Sequence, residues 1–69
     1  MLTYTTTPTY KYHTANDWQV RIYPLSDGYN VVLCRQSQDG LFHDKNLCNP
    51  NHCDTLEGAE LVAELLMGK

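Results

Sequence analysis

The sequence predicts an α+β domain: a small antiparallel sheet of three or four strands, packed by one C-terminal helix over about residues 55–67. Three observations predict it. Residues 18–23 and 29–35 are strand-like runs on either side of a Pro-Leu-Ser-Asp-Gly turn. Residues 56–66 repeat apolar side chains at the 3.6-residue period of a helix. The length of 69 residues leaves room for one small domain, 1–69, and little more.

The elements follow in chain order. Residues 2–14 are rich in Thr and Tyr, which favour extended backbone. Pro8 has no amide hydrogen for a ladder, so it breaks this stretch or sets it at a sheet edge. Tyr10 and Tyr12 alternate with Lys11 and His13, the period of a half-exposed strand. Asn16-Asp17 is a turn signal. Trp18, Val20 and Ile22 then alternate with Gln19, Arg21 and Tyr23. Asp27-Gly28 supplies a residue that tolerates positive φ, and Tyr29 to Arg35 returns as the second arm of a hairpin at about 18–35.

Two registers of that hairpin compete. Pairing Pro24 with Tyr29 puts Tyr29, Val31 and Leu33 on one face with Trp18, Val20 and Ile22. Pairing Tyr23 with Tyr29 moves Val32 and Cys34 to the Trp18 face instead, because a one-residue slip flips every side chain. The first register gathers the apolar residues better and is preferred. It requires cover for Val32 and Cys34 on the second face.

Gln36 to Gly40 reads as a further turn, Leu41 to Asp44 as a short third strand, and residues 45–53 as a loop. Asp54 is the expected helix cap, with Glu57 three residues later closing a capping box. Leu56, Ala59, Val62, Ala63 and Leu66 form the stripe expected to face the sheet, broadened to one side by Leu61 and Leu65. Glu57, Glu60 and Glu64 are expected on the opposite side, and Gly68 ends the helix.

The net charge is −3, unevenly spread. Residues 1–35 hold three cations against two carboxylates, a balance of +1; residues 36–69 hold two against six, a balance of −4. Binding nucleic acid requires cations that displace counterions from phosphates. Five scattered ones make a poor footprint, so no direct nucleic-acid partner is expected. No apolar run approaches the roughly 20 residues that span a bilayer, and no basic start leads into an apolar stretch. The expectation is a cytoplasmic protein without a membrane partner. The acidic helix suits either a basic protein partner or plain solvation.

Thiols and imidazoles concentrate between residues 34 and 53. Cys34, His43, Cys48 and Cys53 have the composition of a tetrahedral zinc site. Cys48 and Cys53 could instead form a disulfide. The remaining reading is three reduced cysteines acting as small hydrophobes, with ordinary histidines. The irregular spacing and the lack of paired C-x₂-C knuckles favour that last reading, so neither metal nor cofactor is expected. No base–nucleophile pair has diagnostic spacing, and the domain is shallow, so no enzymatic activity is expected.

One helix covers only one face of a sheet. Arg21 and Tyr23 point to the other face, with Tyr4, Tyr10 or Tyr12 able to join them. Tyr and Arg are enriched where proteins meet. The expected partner-binding residues are therefore Tyr10, Tyr12, Arg21 and Tyr23 on the sheet, with Glu57, Glu60 and Glu64 on the helix. A protein partner is expected, such as a basic nucleic-acid-binding complex; a second copy of the chain, in a homodimer, is the alternative.

By element order the chain resembles small DNA-binding folds that lay a three-stranded sheet in the major groove, although its strands carry only Arg21 and Arg35 as basic residues. By size and acidity it resembles the small inhibitors encoded by phages and other mobile elements, including anti-CRISPR proteins. That resemblance is one of class, carried by no residue motif. It implies a short, non-catalytic inhibitor that binds a host nucleic-acid machine.

Overall fold

The computed structural model describes residues 2–44 and 51–68. Six strands and one helix follow in order: β1 Thr5–Thr6, β2 Lys11–Ala15, β3 Trp18–Leu25, β4 Gly28–Gln36, β5 Phe42–Asp44, β6 Asn51–Cys53 and α1 Leu56–Leu66. All strand pairs are antiparallel, in the order β1-β2-β3-β4-β5, with β6 also on β4. The fold is thus the predicted α+β class, with a larger sheet than the three or four strands expected. The added members are short: β1 has two residues and β6 three.

The central hairpin adopts the preferred register. Pro24 stands opposite Tyr29, Ile22 opposite Val31 and Val20 opposite Leu33. The strands run on to Leu25 and Gly28, leaving Ser26-Asp27 as the loop. Gly28 has φ +147°, and a β-carbon there would collide with the Cys53 carbonyl oxygen of β6. Glycine is therefore required by both the backbone angle and the close approach of β6. At the β2–β3 turn Asn16 takes φ +56°, a conformation Asn tolerates better than most residues.

β5 and β6 lie along the same side of β4. β5 pairs with Cys34–Gln36 and β6 with Tyr29–Val31. The expected loop at 45–53 therefore ends in a strand; residues 45–50 lie outside the described residues.

Helix α1 packs on β3, β4 and β6. The core joins Leu2, Val20, Ile22, Val31, Ala59 and Ala63, with Tyr29, Leu33, Val62, Leu66 and Met67 against it. Burying each large aliphatic side chain contributes about 1.5–3 kcal/mol. Ala59 and Ala63 are fully buried and let the helix lie close to the strands. This centres the buried stripe on the two alanines. Leu61 and Leu65, two residues further on, sit about 200° round the helix and are exposed. The expectation that they broaden the core stripe is corrected accordingly.

The helix start also differs from the expected one. Thr55, not Asp54, is the N-cap: its hydroxyl oxygen accepts from the Gly58 amide at 3.1 Å. The third helical residue is then Gly58, which has no side chain to reach back, so no capping box forms. Glu57 remains in the first turn, where the helix dipole favours an anion. At the far end Gly68, φ +82°, donates to the Leu65 carbonyl and ends the helix as expected. Among the described residues no helix is long and apolar enough to cross a membrane.

Candidate protein-binding site

The site is built on the sheet face that α1 does not cover. The β2–β3 register places Tyr12 opposite Arg21 and Thr14 opposite Gln19. On β4 the same face receives Asn30, Val32 and Cys34, opposite Tyr23, Arg21 and Gln19. Tyr10 precedes β2 and is positioned by a turn around Pro8. The Thr7 amide donates to the Tyr10 carbonyl at 2.7 Å, and the Tyr10 amide donates to the Thr7 hydroxyl at 3.0 Å.

The polar side chains form one connected set. Gln19 Nε2 donates to the Thr14 hydroxyl at 2.9 Å, Arg21 Nε donates to Gln19 Oε1, and Arg21 Nη1 donates to the Tyr23 hydroxyl at 3.2 Å. The Arg21 guanidinium lies 4.8 Å from the centre of the Tyr10 ring, in cation–π range. Tyr10 is 5.0 Å from Tyr23 and 5.9 Å from Tyr12, centre to centre. The four residues expected on this face therefore form one cluster, and all are half-buried. Burial acts to lower the Arg21 pKa. The Tyr23 hydrogen bond and the neighbouring Cys34, Tyr23 and Tyr10 outweigh it, and the pKa ends above the ordinary arginine value. The guanidinium stays charged at any physiological pH.

Val32 and Cys34 are only 4% and 0% exposed, so the middle of this face is closed to water. Directly across the ladder stand the long side chains of Arg21 and Gln19, held along the sheet by their hydrogen bonds.

Tyr4 does not join the cluster. The β1–β2 register turns it to the helix side, where its ring makes an edge contact with His13 at 6.4 Å and lies 4.7 Å from Lys11 Nζ. Its hydroxyl is buried without a hydrogen-bond partner among the described residues. Burial, then the charges of Glu60 and Glu64, raise its pKa.

The three glutamates are not one exposed stripe opposite the sheet, as expected. Glu57 is exposed, while Glu60 and Glu64 are half-buried along the helix border nearer β2. Glu60 is already paired with Lys11. The helix carboxylates and the Tyr/Arg cluster lie on opposite sides of the sheet.

The sulfur and imidazole groups do not converge. Cys34 faces the Tyr/Arg side, whereas Cys53, opposite Tyr29, packs against the core on the helix side. His43 pairs with Arg35 on β4, so it too points away from the Cys34 face. A single ion cannot reach Cys34 and Cys53 through the sheet. Cys48, the fourth residue of that set and one end of the expected disulfide alternative, lies outside the described residues. Among the described residues no group of three or more His, Cys, Asp or Glu side chains is placed to hold a metal ion.

Comparison with protein-family models, curated proteins and solved structures finds no match to this chain. The reading of its function therefore rests on its own residues.

Proposed function

We propose that the chain is a non-enzymatic protein-binding module, and most concretely a small inhibitor of a nucleic-acid machine, of the anti-CRISPR kind. The observation that carries this reading is the Tyr10–Arg21–Tyr23 cluster on a helix-free sheet face. Its rings and guanidinium are already held by mutual contacts, so little side-chain freedom remains to be lost on binding. Tyr and Arg are also the residue types that dominate binding energy at interfaces. The acidic helix supplies a second contact, on the other side of the sheet, with carboxylates that suit a basic protein surface of such a machine. The cytoplasm, where such machines work, is the proposed location.

The test is a panel of purified guide–nuclease complexes, read by target cleavage with and without the protein. Inhibition of at least one complex is expected. Arg21→Ala with Tyr23→Ala should weaken it by roughly tenfold or more, the loss typical of an interface anchor. A panel left fully active overturns the inhibitor reading. Inhibition unchanged by the double variant removes the sheet face from it. Inhibition unchanged by replacing Glu57, Glu60 and Glu64 with Gln removes the helix.

A further inference from the structure

The helix carries a second apolar row that the core does not use. Leu61 and Leu65 lie one turn apart and are 62% and 71% exposed. Glu57 begins the same row one turn earlier, and Glu60 and Glu64 run beside it. Between the two rows, Glu57, Glu60, Leu61 and Glu64 line a trough of about 340 Å³. Large exposed leucines side by side are informative when charged groups rim them, because that is the pattern of a docking surface.

The charge on this face selects its occupant. From Leu56 to Leu66 the helix contains no Lys or Arg. A second copy docked helix to helix would bring the glutamates of both copies together with no helix cation between them, and like charges repel. A purely cationic, phosphate-binding surface would satisfy the glutamates but leave the leucines in water. Only a partner that is both apolar and basic matches the two rows at once. We infer that this face docks a basic amphipathic helix of a protein partner. Apolar side chains of that helix cover Leu61 and Leu65, and its Lys or Arg side chains meet Glu57 and Glu64. Glu60, held by Lys11, is a minor contributor. The inference rests on the protein-binding reading but is separate from the Tyr/Arg face.

The experiment titrates the isotope-labelled full chain with a synthetic Leu/Lys amphipathic peptide of about 15 residues, long enough to hold a helix. Amide shifts centred on Leu61 and Leu65 are expected, with Tyr10, Arg21 and Tyr23 unmoved. Leu61→Ala with Leu65→Ala should weaken binding by roughly tenfold, as for loss of a two-residue anchor. Both leucines are exposed, so the fold should survive; Leu65→Gln alone, with a smaller loss, is the safeguard if it does not. Glu57→Gln with Glu64→Gln should weaken binding and flatten its salt dependence. In the titration, no shifts, shifts centred on the Tyr/Arg face, or equal binding of a control peptide with Gln in place of every Leu each overturn the inference. Sedimentation as a dimer that the double leucine variant dissociates would also overturn it, by making the occupant a second copy. None of these outcomes depends on the nuclease panel, so the two readings fail separately.

Discussion

Lys11 Nζ lies 2.8 Å from Glu60 Oε2, an ion pair that joins β2 to α1 across 49 positions of sequence. Lys11 also sits over the Tyr4 ring, so one cation ties together the N-terminal segment, the sheet and the helix. It leaves Glu57 and Glu64 as the helix carboxylates with no ion pair among the described residues.

Removing that tie should have a small, salt-sensitive cost. Both partners are partly exposed, so Lys11→Met should lower stability by about 0.5–1 kcal/mol. Urea unfolding at low and high salt measures it. The loss should shrink at high salt, where the pair is screened. An unchanged midpoint at low salt would mean that the pair contributes nothing.

Gly28 should be far less replaceable than Gly40. Both have positive φ, but only a side chain at Gly28 meets backbone of another strand. Gly28→Ala should cost more than the roughly 1 kcal/mol that an unfavourable φ alone costs at Gly40→Ala. Thermal unfolding of the two variants decides it, and equal losses would remove the steric part of the argument.

The cap can be read out by two adjacent alanine variants. Thr55→Ala removes the acceptor for the Gly58 amide and should cost about 1 kcal/mol. Asp54→Ala should cost clearly less. The reverse order would restore Asp54 as the cap.

Asp39 gives a pH signature. The Ser37 hydroxyl, the Leu41 amide and nearby His43 hold its pKa below the ordinary aspartate value, against a slight opposing effect of burial. A depressed carboxylate contributes stability that is fully present above its unfolded pKa and lost as pH falls through the lower folded one. The Ser37–Leu41 turn should therefore loosen only in strongly acidic solution. Titration of the Asp39 carboxyl carbon by NMR should show a low midpoint, and Asp39→Asn should abolish the acid transition of that turn. A normal midpoint would refute it.

The central hairpin was legible because its two arms carry matching apolar sets. Only the register opposing Pro24 and Tyr29 puts Trp18, Val20, Ile22, Val31 and Leu33 on one face. β6 was not legible. Asn51-His52-Cys53 has little strand character, and its pairing with Tyr29–Val31 is set by long-range contact. The helix is legible in extent and in the face it buries: Ala59, Val62, Ala63 and Leu66 lie against the core as their period implies. Its width is not legible, since Leu56 at one end and Leu61 and Leu65 to one side are exposed, and close approach to the sheet narrows the buried stripe to the alanines. Strand parity puts Arg21 and Tyr23 on one face and keeps Tyr10 and Tyr12 together; that the two pairs share a face is set by the β2–β3 register, which the sequence does not show. Tyr4, open to either face in the sequence, falls on the helix side, and the two-residue pairing of β1 gives no alternation that could show it. The zinc quartet failed on parity as well: composition brings Cys34 and Cys53 together, whereas a pleated sheet separates them.

The divided flank of β4 bears on how other chains can meet this protein. β5 and β6 each occupy three residues of it, and the opposite margin ends in the two-residue β1 beside Pro8. No described outer strand is therefore a long, flat template onto which a foreign backbone could zip. Such blunting is how natural sheets resist stacking into fibrils. Among the described residues it also disfavours recognition by backbone addition, and so leaves the reading of any partner to side chains.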